Sequence, residues 1–181
     1  MADAGQPGPT IRLLEARDRD DVVAILHAVG NFSSDEIDTA LELIDEWLAS
    51  GEASDYLTYV VESSGEPADA APPPVAGYVC YGPTPLTETT YDLYWIAVSP
   101  SAQRAGYGQA LLAFAESDIA RRGGRLVLIE TGSHETYAST VRFYERAGYD
   151  LISRIPGYYR PGDDKLTFGK QLHPEAASII G

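Results

Sequence analysis

Trp95-Ile96-Ala97-Val98 is an apolar run that reads as a strand, and Ser99-Pro100 ends it because proline cannot donate to a ladder. Gly106 and Gly108 follow. Leu111, Phe114, Ala115 and Ile119 then repeat at the spacing of one buried helix face. A strand feeding a glycine loop and a helix start makes an anion site, because the first helical N–H groups have no internal partner and the helix dipole is positive there. Glycine also lets a phosphate come close to the main chain. Two phosphate loops are excluded: no Gly-Lys-Ser/Thr ending is present, and Leu111 stands where a dinucleotide fingerprint needs its third Gly or Ala. An ordinary tight turn before a helix fits the same residues, Gln103 to Gly108.

The rest of the chain supplies a sheet for this unit. Ile11 to Leu14 predicts a short first strand. Asp18 to Val29 carries Val22, Val23, Ile25, Leu26 and Val29 behind acidic residues, which suit the N-terminal end of a helix. Ser33-x-x-Glu36 is a capping-box signature, and Ile37, Leu41, Ile44 and Leu48 continue it as a second helix. Tyr56 to Val61, Val75 to Tyr81 and Thr89 to Val98 are rich in aromatic and β-branched residues and predict three strands. Between the first two of these, residues 63–74 read as an exposed, mobile Pro-rich connection. Past the central helix, Arg121-Arg122-Gly123-Gly124 is a stop signal. Arg125 to Thr131 reads as a buried parallel strand. A helix spans about Ser139 to Ala147, and Gly148 closes it. Tyr149 to Ile155 and Lys165 to Leu172 are two final strands joined by residues 156–164. The order β-α-α-β-β-β-α-β-α-β-β is a mixed α/β fold of about seven strands. The unit around Gly106 requires a right-handed crossover and a parallel strand pair.

A chain of 181 residues sustains one domain, read here as residues 10–173 between a flexible N-terminus, 1–9, and a C-terminal tail, 174–181. No apolar run approaches the roughly 20 residues that span a bilayer. The first ten residues lack the basic and apolar regions of a secretory signal. Cys80 is the single cysteine, so a cytoplasmic setting is expected. A net charge of −14 repels phosphate backbones and argues against nucleic acid and anionic membranes as partners. A polyanionic cofactor must then be held by local groups, of which Arg104 is one. An acidic rim suits a cationic amine, although acidic surfaces also serve solubility alone.

Gln103-x-x-Gly106-x-Gly108, after a strand ending at Val98, resembles the acetyl-CoA loop of the GNAT-type N-acetyltransferase superfamily, whose pattern is Gln/Arg-x-x-Gly-x-Gly/Ala. Phe143-Tyr144-Glu145-Arg146-Ala147-Gly148-Tyr149 is similar to that superfamily's Phe/Leu-Tyr-x-x-x-Gly-Phe/Tyr helix. The two motifs come in the superfamily's order with a strand between them. The resemblance covers about Thr89 to Leu172, and the paired helices near the start fit it too. It implies a GNAT-like twisted mixed sheet and transfer of an acetyl group from acetyl-CoA to a primary amine by direct attack. The acceptor it implies is a small-molecule amine or a peptide N-terminus, and a homodimer is a common state among such proteins.

By that resemblance Ile96, Ala97, Val98, Gln103, Arg104, Ala105, Gly106, Tyr107, Gly108 and Gln109 hold the cofactor, with Ser139 and Tyr144 beside them. A Cβ at Gly108 would stand where a phosphate approaches, and a backbone N–H near Ala97 or Val98 would polarise the thioester carbonyl. Tyr144 would protonate the leaving thiolate, since a phenol of pKa about 10 is nearly matched to a thiol. The superfamily often has Asn seven residues before this tyrosine. Tyr137 stands there instead, so Ser139 is the substitute for its contact to the pantetheine arm. A tyrosine packed on the sheet is the alternative for Tyr144.

The attacking amine must lose a proton, so a carboxylate or water chain is expected. Glu130, at the end of the fifth strand, resembles the base of the peptide acetyltransferases. Desolvation at the end of an apolar strand would raise its pKa, and a strand-end Glu in water or in a salt bridge is the alternative. Asp92 is the second candidate. Residues 157–164 resemble the aromatic-acidic connection of the peptide acetyltransferases over the acceptor site, so Tyr158 and Tyr159, with Asp92 and Tyr94, are expected to hold an ammonium there; an Asp-rich turn without catalytic importance is the alternative. His134 is a candidate proton relay, with a solvated loop histidine as the alternative. No metal-ligand spacing and no Gly-x-Ser-x-Gly elbow is present. A CoA-binding sensor that lost the chemistry, or a plain interaction module, are the competing readings.

Overall fold

The computed structural model describes residues 8–63 and 74–172. The Pro-rich connection, the N-terminus and the tail read from sequence lie wholly or mostly outside these residues. The strands are β1 (Ile11–Leu13), β2 (Leu57–Glu62), β3 (Val75–Pro83), β4 (Thr90–Val98), β5 (Leu126–Gly132), β6 (Asp150–Arg160) and β7 (Asp163–Gln171). The helices are α1 (Arg19–Val29), α2 (Ser34–Ser50), α3 (Tyr107–Arg121) and α4 (Ala138–Arg146). The element order matches the one expected from sequence. One seven-stranded sheet runs β1-β2-β3-β4-β5-β7-β6. Only β4 and β5 pair in parallel, joined by α3, as the crossover argument requires.

Successive residues of a strand face opposite sides, which assigns the helices to the two faces. Tyr81 of β3 donates to Asp118 of α3 at 2.7 Å, so α3 covers Tyr81's face. Cys80 lies opposite Trp95 on β4, and Trp95 meets Phe32 of the α1–α2 loop edge-on at 5.2 Å. The loop between α1 and α2 therefore lies on the other face from α3. Val22, Leu26, Ala40 and Ile44 are buried from that side, and Leu111, Ala115 and Ile119 from α3's side.

The two helices at the start are locked by polar contacts at their ends. Ser33 and Glu36 form the expected capping box on α2. Asp18, expected to help start α1, is buried and accepts instead from Arg12 at 2.6 and 2.9 Å, tying β1 to α1.

The last hairpin differs from expectation. β6 continues through Pro156 to Arg160, so residues 156–160 are strand and only Pro161 and Gly162 turn. Proline is tolerated because β6 is an edge strand, where half its N–H groups face away from any partner. All of β6 is exposed.

Candidate active site

β4 and β5 run side by side only from Thr90/Leu126 to Leu93/Ile129. Beyond that rung they part. Trp95 to Val98 stay with β3, while Glu130 to Gly132 stay with β7. Tyr81 faces Leu93 and Cys80 faces Trp95, so Tyr94 is an extra residue on β4, a bulge at the start of the gap. Such a bulge turns the strand away from its old neighbour.

The splayed end of β4 leads to the glycine loop. Arg104 and Gly106 both take left-handed backbone, at φ 68° and 85°. A Cβ at Gly106 would meet nothing within 4 Å, so this part of the loop faces open space. No side chain caps α3, and its first intrahelical bond runs from Ala110 N to Gly106 O at 3.0 Å. The N–H groups of Gly108 and Gln109 precede that bond and point out of the helix start. Gln103, Arg104 and Ala105 are exposed, Tyr107 and Ala97 are buried, and Ile96 and Val98 are half-buried.

Gly108 corrects one expectation. A Cβ there would lie 3.6 Å from the Phe143 ring and 3.8 Å from Val98 Cγ2, an ordinary contact inside the wall between β4 and α4. The position that demands glycine by its backbone is Gly106, not Gly108.

Tyr144 is buried among Phe143, Tyr149 and Phe168, with ring centroids 5.4, 6.0 and 6.1 Å away. Burial alone pushes its hydroxyl well above the usual phenol value. Phe168 pairs with Ile129, so Tyr144 belongs to Ile129's side of β5. Glu130 points to the other side. The two expected catalytic groups thus sit on opposite faces, with the gap between β4 and β5 beside both.

The face opposite Tyr144 is charged. Asp92 is half-buried; burial raises its carboxyl above the ordinary range, with Glu130 adding to the rise, against the lowering pull of Thr84 and then of Lys165. Glu130 does not match the desolvated base expected from sequence. It is exposed, and its Oε1 lies 2.6 Å from Lys165 Nζ. The ammonium of Lys165 also sits 5.0 Å from the centre of the Tyr158 ring. Tyr158 and Tyr159 meet edge-on at 5.0 Å. Tyr94 meets Tyr56 edge-on at 5.5 Å, and burial, followed by Asp92, pushes its hydroxyl up to about 12.

Tyr137 and His134 are both hydrogen-bonded within the chain. The Tyr137 hydroxyl donates to Asn31 O at 3.0 Å and lies 3.1 Å from Glu36 Oε1. It therefore points at the α1–α2 loop and the start of α2. Burial, with Glu36 beside it, pushes this hydroxyl up to about 12. Its ring lies where a Cβ of Gly132 would be, 3.2 Å from Cδ2. His134 caps the short turn before α4: Nδ1 lies 3.0 Å from Thr136 Oγ1, and its backbone N–H donates to Asp163. Ser139 is exposed on the first turn of α4.

Three side chains escaped the sequence reading. Glu36 was legible only as a cap, and its second contact to Tyr137 spans about a hundred residues of chain. Tyr56 gave no signal beyond its strand. Lys165 did give one: the chain has eleven arginines and only two lysines. Among the described residues no group of three His, Cys, Asp or Glu could hold a metal, and no helix is long and apolar enough to cross a membrane.

The chain is similar to known proteins in sequence and fold. The sequence model of the Acetyltransferase (GNAT) family matches residues 22–149. A solved structure from Desulfovibrio desulfuricans, assigned to the GNAT family, is 41% identical; the match covers 92% of this chain and all of the other, with a TM-score of 0.82. The yncA protein of Salmonella typhimurium, solved with its cofactor acetyl-CoA, shares the fold at 21% identity and a TM-score of 0.68, over 97% of this chain and 100% of that one. The mycothiol acetyltransferase of Cellulomonas flavigena is 39% identical over 62 residues, 34% of this chain; the match spans only 17% of that enzyme's length. A parted β4–β5 pair beside an uncapped helix start, with a family match over most of the sheet around it, leaves one assignment: the chain belongs to the GNAT acetyltransferase family.

Proposed function

We propose that this protein transfers an acetyl group from acetyl-CoA to a primary amine by direct attack of the amine on the thioester. The observation that carries the reading is the open start of α3 at the mouth of the gap between β4 and β5. The cofactor's pyrophosphate takes the N–H groups that no side chain caps, with Arg104 as local cation. Its pantetheine arm follows Ile96, Ala97 and Val98, whose β5-facing edge is unpaired. A main-chain N–H on that edge polarises the thioester carbonyl. The thioester then lies in the gap, and catalysis is chiefly the positioning of amine against carbonyl.

Tyr144 reaches the gap from the apolar face and gives its proton to the departing sulfur. The burial that raises its pKa also raises that of a thiol, so the transfer stays near balance. On the other face Asp92 is the stronger candidate for the base. Its pKa is raised by burial, whereas Glu130 is already engaged by Lys165. Glu130, Tyr158 and Tyr159 hold the acceptor's ammonium. The acidic, tyrosine-lined mouth suits a small cationic amine or a peptide N-terminus. A cytoplasmic setting and a homodimer complete the proposal.

Thiol release from acetyl-CoA, measured against a panel of small amines and N-terminal peptides, tests it. Release that requires an amine supports the enzyme. Acetyl-CoA binding with no release for any acceptor would instead favour a CoA sensor.

A further inference from the structure

We propose that the protein acetylates its own Lys165, an inference that rests on the acetyl-transfer reading above. The chain carries two primary side-chain amines. Each pairs with one carboxylate and lies over one tyrosine ring, Tyr158 for Lys165 and Tyr149 for Lys170, but they differ in how fully they are bonded. Lys170 Nζ donates to both oxygens of Glu116, at 2.9 and 2.8 Å, and to Ala147 O at 2.9 Å. All three of its protons have acceptors. Lys165 Nζ engages one carboxylate, Glu130, and one ring, Tyr158. The two lysines are five positions apart on β7, an odd offset, so they face opposite sides of the sheet.

Lys165 also stands at the mouth where the proposed reaction brings its acceptor amine. Its backbone pairs with Gly132, and its ammonium is bonded to Glu130, the first residue past the last β4–β5 rung. Asp92 lies on the rung before that last one and feels the charge of both Glu130 and Lys165. Carboxylate on one side and aromatic ring on the other is the seat that suits a primary ammonium. In this structure the chain's own amine occupies it.

The chemistry balances without a further reactant. One proton of the Lys165 ammonium passes to Glu130, 2.6 Å away, which frees a lone pair on Nζ. Nζ attacks the thioester carbonyl, a C–N bond forms and the C–S bond breaks with its electron pair on sulfur. The second proton lost from nitrogen reaches that sulfur, giving CoA thiol, and Glu130 returns its proton to water. The product amide is neutral. Glu130 is then released from its internal partner, and the mouth becomes one charge more negative toward the next cationic acceptor.

The test is to incubate the full chain with ¹³C-labelled acetyl-CoA and map the label by peptide mass spectrometry. The proposal predicts label at Lys165, none at Lys170, loss of the label with excess CoA, and its absence in Lys165→Arg. An unlabelled Lys165 in a sample that acetylates a panel amine would overturn this inference and leave the enzyme reading standing. Equal labelling of both lysines, indifferent to CoA, would show solution chemistry and overturn it as well. If calorimetry finds no binding of acetyl-CoA, the transferase reading fails first and this inference with it.

Discussion

The two faces of the gap between β4 and β5 are built from different chemistry. On one, Tyr144 sits inside a cluster of aromatic rings with no charge in contact. On the other, Asp92, Glu130 and Lys165 stand among tyrosines at an open mouth. In the proposed reaction the contrast separates two jobs. The buried, uncharged face would keep a phenol protonated until an anion appears. The charged, exposed face would attract an ammonium and take its proton. Amine and thioester would then be approached from opposite sides, and neither face would have to serve both.

The largest expected effect comes from the apolar face. Tyr144→Phe keeps the ring packing and removes only the hydroxyl, so acetyl-CoA affinity should hold while kcat falls about 10²-fold or more. Steady-state kinetics with calorimetry checks it, and an unchanged kcat would make the two faces less different than they look.

On the charged face, Asp92→Asn should lower kcat/KM by about tenfold near neutral pH, because water can replace a lost base only in part. The sign of the pH effect follows from the raised pKa. Asp92 must be ionised to act, so parent activity should fall as pH drops through a value above the ordinary carboxylate range. Asp92→Asn should lack that limb. Glu130→Gln should cost less, a few-fold in acceptor KM, since its carboxylate already serves Lys165. If Glu130→Gln flattens the limb and Asp92→Asn does not, the assignments exchange.

The smallest effect sits at the rim. Ser33→Ala removes the α2 cap and should cost about 1 kcal/mol of stability in thermal or urea unfolding, with acetyl-CoA affinity unchanged. The start of α2 spends its donors on its own cap, with Glu36 accepting from Ser33 N at 2.7 Å. The start of α3 leaves its own open.

Much of this was legible in the sequence, for local reasons. Periodicity and caps gave every helix and strand in order, and the glycine loop between a strand and a helix start marked an anion site. What failed depends on neighbours distant in the chain. Glu130 reads as a desolvated strand end, but desolvation is set by whatever covers its side of β5, and there Lys165 from β7 meets it in the open. Pro156 reads as a strand breaker, and only the edge position of β6 reverses that. Tyr137 matches a motif position without the motif's side chain. Its partner Glu36, on α2, was not recoverable from the motif.

The central claim is that acetyl-CoA enters the gap by way of the open start of α3. The direct measurement is a calorimetric titration of acetyl-CoA into the parent and into Gly106→Val, each verified as folded by circular dichroism. Valine at φ 85° costs on the order of 1–2 kcal/mol and forces the loop to another shape. The account predicts clear binding to the parent and at least about tenfold weaker binding to the variant, the ratio that about 1.4 kcal/mol sets. Equal affinity in the two would place the cofactor away from this loop and contradict the account.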